Sequence, residues 1–139
     1  MIEVVNRQRK VRIAPEGWRS FSEKALNAIR KKSGHATIAF VSDRQIKELN
    51  RRFRGIDKAT DVLSFPAGDE TSGANLTLGD IAISLERAAI QANENQLTLD
   101  EEIAQLILHG LLHLCGYDHQ TDKGEMNRLE LRLRRQLKI

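Results

Sequence analysis

A chain of 139 residues with 40% hydrophobic and 29% charged residues is an ordinary globular sequence, long enough for one hydrophobic core and too apolar to be disordered. Its net charge of +3 and pI near 9.2 suit an anionic partner such as RNA without requiring one, and its few aromatics (four Phe, one Trp, one Tyr) argue against binding driven by base stacking. One cysteine, Cys115, excludes an intrachain disulfide. The leading residues Met1 to Arg7 offer no apolar core for a signal peptide, and the longest apolar run, Ile103 to Cys115, is too short for a bilayer, so a cytoplasmic protein without membrane contact is expected.

In chain order, Ile2 to Val5 is a short β-prone run. Trp18, Phe21, Ala25, Leu26 and Ile29 keep helical spacing, with Gly34 as a stop. His35 to Val41 alternates like a strand. Ser42 and Gln45 form a capping-box pair opening a helix that carries Ile46, Leu49 and Phe53 on one side and ends near Gly55. Thr60 to Pro66 and Gly79 to Ser84 read as two further strands, joined by a polar connection over Ala67 to Leu78 that is too long for a tight hairpin. Ser84 caps a helix running to about Asn95.

Thr98 and Glu101 make a second capping box, and Asp100, Glu101 and Glu102 suit the positive end of a helix dipole. From Ile103 onward that helix is apolar nearly all round, which predicts a buried central helix. A last amphipathic helix spans roughly Asp122 to Leu137 with Met126, Leu129 and Leu133 inward. The expectation is a single α+β domain over residues 1–139: a small mixed sheet of about four strands packed against about five helices, the central one binding a metal.

The chemistry concentrates on that helix. His109 and His113 are four residues apart, so they lie about 40° apart in projection and about 6 Å apart along the axis, and both can face one ion. On a continuing helix His119 would lie about 9 Å beyond His113, out of reach of an ion bound at about 2.1 Å. Gly116 between them can take the left-handed conformation that ends a helix and lets the chain swing His119 back. The spacing His109-x3-His113-x5-His119 equals that of the metzincin protease signature, but Gly110 stands where those proteases carry a glutamate base, so the metal is kept and the protease set aside. Structural zinc sites are usually closed by four ligands and rich in cysteine. Three neutral imidazoles instead leave a coordination position open and the double positive charge intact, which lowers the pKa of a water there to about 7 and favours an anionic substrate such as a phosphodiester. Zinc is the first expectation; nickel and copper suit the same donors. Cys115 reads as a small buried hydrophobe, Asp118 as either a ligand-orienting partner or a turn residue, and His35 as structural.

A phosphodiesterase also needs a positive group at the phosphate. Arg51, Arg52 and Arg54 stand at a helix end, where the helix dipole also collects arginines, and spacing alone assigns none of them a role. The other basic clusters read as solvated faces.

Together, His109-Gly110-x-x-His113-x-x-Gly116-Tyr117-Asp118-His119, Thr60-Asp61-Val62-Leu63-Ser64-Phe65-Pro66 and Leu78-Gly79-Asp80-Ile81 resemble the YbeY family of bacterial rRNA maturation factors, over nearly the whole of Val41 to Met126. The resemblance implies a metal-dependent endoribonuclease specific for single strands. It would act on RNA of the small ribosomal subunit in 16S rRNA 3′-end maturation and ribosome quality control, with no DNA partner. It implies zinc on His109, His113 and His119 and places the family's functional arginine on Arg54. Ala59 departs from the proline common there, a change in a loop. The rival readings are a ribosome-associated RNA-binding protein with a structural metal, and a metal-dependent hydrolase of another substrate.

Overall fold

A computed structural model describes residues 1–29, 34–67, 77–117 and 123–139. The elements follow in the order β1 (Ile2–Asn6), α1 (Pro15–Ile29), β2 (His35–Val41), α2 (Asp43–Arg54), β3 (Val62–Pro66), β4 (Thr77–Ser84), α3 (Leu85–Glu94), α4 (Leu99–Leu114) and α5 (Glu125–Leu137). The α+β class, and the four strands and five helices among the described residues, agree with the sequence.

The strands form one mixed sheet in the order β1-β2-β4-β3. β1 runs parallel to β2, and β2 parallel to β4, while β3 lies antiparallel on β4 at the edge, Ser64 opposite Ile81. Period-two alternation decides which side chains meet which helices. Ile2, Val4, Ala36, Ile38, Phe40, Ile81 and Ile83 point to one face and share a core with Leu26 of α1, Ala88 of α3, Leu108 and Leu111 of α4 and Met126 and Leu133 of α5. The opposite face carries the smaller cluster of Val41, Leu63 and Ala82 under Ile46 of α2.

Local chemistry accounts for the helix limits. Pro15 opens α1, where its fixed φ and missing donor suit a first turn. The α2 capping box is formed: Gln45 N donates to Ser42 Oγ at 3.1 Å and Ser42 N to Gln45 Oε1 at 2.8 Å. Gly55 ends α2 at φ 71°. α1 is described as far as Ile29; the stop expected at Gly34 turns on residues 30–33, which lie outside the described residues. Phe53 continues the apolar side of α2 but stays 63% exposed, its ring edge-on to Phe65 at a centroid distance of 5.5 Å. β4 begins at Thr77, two residues earlier than predicted, and most of the 67–78 connection (residues 68–76) is not described. No described helix is long and apolar enough to cross a membrane.

Candidate metal centre

α4 carries the site and is fixed at both ends. At its start Glu101 N donates to Thr98 Oγ1 at 3.1 Å and Thr98 N to Glu101 Oε1 at 2.9 Å. These bonds hold the Glu101 carboxyl below the usual carboxylate range. The helix then packs against α1, α3, α5, β3 and β4. Past the first turn nearly every residue is buried; Gln105, His109 and His113, at i, i+4 and i+8, form its half-exposed strip. Burial of each large aliphatic side chain around them contributes about 1.5–3 kcal/mol, so the strip is held on a rigid element.

On that strip His109 Nε2 and His113 Nε2 stand 3.1 Å apart. Two nitrogens bound at about 2.1 Å to one tetrahedral ion would be separated by about 3.4 Å, so this donor pair fits a single zinc-sized ion with little adjustment. The predicted C-terminal device is also present. Cys115 is the C-cap, and Gly116 follows at φ 99°. Gly116 N donates to His113 O and Tyr117 N to Leu112 O, both at 3.1 Å, the two bonds of a Schellman turn. Cys115 packs its half-buried side chain against the main core, as a small hydrophobe does. His119 and Asp118 lie outside the described residues. Among the described residues no group of three His, Cys, Asp or Glu side chains is placed to hold an ion.

Gly110, where the protease pattern has its glutamate, faces the sheet. A Cβ there would fall 2.9 Å from Ile81 Cδ1 and 3.0 Å from its Cγ2, and Ile81 is itself buried. The absence of a side chain lets α4 lie close on β4, and Ser64 Oγ of β3 donates to Gly110 O at 3.5 Å. Any side chain at this position would require the buried Ile81 side chain to shift.

Sequence reasoning missed Glu130. This α5 residue, 9% exposed, sets its Oε1 2.8 Å from His109 Nδ1 and accepts Arg134 Nη2 on Oε2 at 2.8 Å. Burial pushes its carboxyl up, but the hydrogen bonds and charges of His109 and Arg134 outweigh burial and hold it below the usual range. Its spacing from Arg134 reads as an ordinary helical i, i+4 ion pair, and nothing in the sequence ties either residue to His109.

Arg54 is exposed at the end of α2 and shares no hydrogen bond or ion pair with either histidine among the described residues. Its neighbour Arg51 is held by Glu48 at 2.5 Å. Asp61, in the strand motif, has a structural task. Its Oδ1 accepts Val62 N at 2.8 Å, its carbonyl accepts Ser84 N at 2.9 Å, and the Gln91 amide bridges Asp61 Oδ2 and Glu102 Oε1, each 3.0 Å from its nitrogen, in the one orientation that avoids setting oxygen against oxygen.

Fold and site together define an α+β protein with a candidate histidine metal centre on its central helix. Residues 3–138 match the model of the family described as Endoribonuclease YbeY, and the chain belongs to that family. An endoribonuclease YbeY of Koribacter versatilis is 51% identical over 106 residues, 76% of this chain and 66% of that protein's length. Another, from Thermodesulfovibrio yellowstonii, is 35% identical with 99% of this chain and 97% of that protein covered. A solution structure from Thermotoga maritima has the same fold at 29% identity, with a TM-score of 0.68 over 99% of this chain and 89% of that one.

Proposed function

We propose that the chain is a metal-dependent endoribonuclease specific for single strands, acting on rRNA of the small ribosomal subunit in 16S 3′-end maturation and ribosome quality control. His109, His113 and His119 would hold one zinc ion per chain, nickel being the next candidate. The observation that carries the reading is the convergence of His109 Nε2 and His113 Nε2 at 3.1 Å on the open strip of an otherwise buried helix, in a chain of the endoribonuclease YbeY family.

When bound, such an ion supplies Lewis acidity, bringing a water's pKa to about 7 and offsetting phosphate charge. Three neutral imidazoles leave its positive charge undiminished, which favours RNA over a neutral peptide. In this reading Arg54 binds the scissile phosphate and stabilises the charge that develops on its oxygens. No carboxylate follows His109 to act as general base, because Gly110 is packed on Ile81. The attacking group is therefore either water or the substrate's own 2′-hydroxyl, and the products separate the two: a 5′-phosphate end assigns water, a 2′,3′-cyclic phosphate end the 2′-hydroxyl.

The test is incubation of the metal-loaded protein with a labelled single-stranded RNA and its duplex, beside an Arg54→Ala variant. The single strand should be cut and the duplex spared, and Arg54→Ala should slow cutting about 100-fold or more. Intact, metal-loaded protein that leaves the single strand uncut refutes the assignment and favours RNA binding with a structural metal.

A further inference from the structure

An imidazole binds a metal only through the nitrogen that carries no proton, so a metal-binding histidine needs a partner that fixes the proton on the other one. For His109 the nitrogen facing His113 is Nε2, and the one facing away is Nδ1. Nδ1 meets Glu130 Oε1 at 2.8 Å. With Arg134 donating to Oε2 and no proton-bearing atom but the ring nitrogen in the 2.8 Å contact at Oε1, the geometry pairs Oε1 with an Nδ1–H donor and leaves Nε2 as the nitrogen facing His113. Glu130 is itself held: it is 9% exposed, and Arg134 donates to its second oxygen at 2.8 Å, which stops the carboxylate from rotating away. Against the main core, α5 is anchored by buried Met126 and Leu133.

We propose that Glu130, braced by Arg134, is the positioning residue of the metal centre, fixing the tautomer and ring orientation of His109. The final helix is then a working part of the site as well as a cover for the core. The proposal rests on the metal reading given above. The competing view is that the contact is only a staple between α4 and α5, which costs stability when cut and leaves metal affinity alone.

Two measurements separate them. In zinc-free wild-type protein at neutral pH, nitrogen-15 NMR of the histidine rings should show His109 protonated on Nδ1; protonation on Nε2 overturns the proposal with no variant needed. Zinc affinity is then read by competition with a chromophoric chelator for wild type, Glu130→Gln and Glu130→Ala, each checked for a folded circular dichroism spectrum. A loss of about 10-fold in Glu130→Gln, approaching 100-fold in Glu130→Ala, is expected, with a changed visible spectrum of the cobalt-substituted protein. Folded variants that bind zinc as tightly as wild type overturn the proposal. Wild-type protein that takes up no zinc overturns the metal reading and this proposal with it, whereas loss confined to the variants leaves that reading standing.

Discussion

His109 and His113 announce themselves in the sequence because helical spacing alone brings residues four apart onto one side. Glu130 does not, because its partner is 21 residues away on another helix and only the packing of α5 on α4 creates the contact. Gly110 is an intermediate case. The sequence shows that the protease glutamate is missing, and the structure adds that one could be placed there only by shifting the buried Ile81. Gly110→Glu should therefore cost about 3 kcal/mol or more in chemical denaturation, from overpacking and a buried charge, and should create no protease activity. Glu102 gives a pH-dependent prediction. Burial, with Asp61 adding and Arg134 opposing, raises its carboxyl above the usual value. Below the unfolded-state value the group is neutral in both states and costs nothing; as pH rises through the folded-state value, holding the charge in place destabilises the fold, and the cost persists above it. Glu102→Gln, which keeps an oxygen for the Gln91 amide, should raise the melting temperature at about pH 8 and leave it nearly unchanged at about pH 3.5. An equal gain at both pH values would show that charge is not the cause.

At the scale of elements, what the sequence reveals is what short-range chemistry controls. Both capping boxes, the Gly55 stop and the Gly116 turn are formed as their residues predict, and the all-round apolar character of α4 does correspond to a buried central helix. The strand order β1-β2-β4-β3 was not legible, because pairing β2 with β4 and returning β3 to the antiparallel edge are non-local choices. Phe53 illustrates the same limit: its place on the apolar side of α2 follows from periodicity, but how much of it the sheet covers does not. The capping box matters because it starts the helix that carries both histidines. Thr98→Ala should destabilise the protein by about 1 kcal/mol in urea unfolding, with zinc affinity unchanged if α4 stays intact from Ile103 onward. A joint loss of affinity would mean that the site depends on the helix start.

For the molecule as a whole, one face of the sheet is buried beneath four helices and the other is partly covered by α2, so Arg54 and the histidines sit on elements separated by strands β3 and β4. In the proposed reading an RNA substrate meets Arg54 at the same phosphate that the ion polarises. Its binding should weaken with salt, and Arg54→Ala should lower the slope of log affinity against log salt by about 0.7 if that residue meets one phosphate. The central claim, that RNA cutting depends on the ion held by His109, His113 and His119, is tested most directly by stripping the purified protein of metal and titrating zinc back while following cleavage of a single-stranded RNA. The account predicts that cleavage vanishes in the stripped protein and returns in proportion to bound zinc up to one ion per chain, with His113→Ala folded but inert throughout. Undiminished cleavage by the stripped protein, or none with one zinc bound per chain, would contradict it.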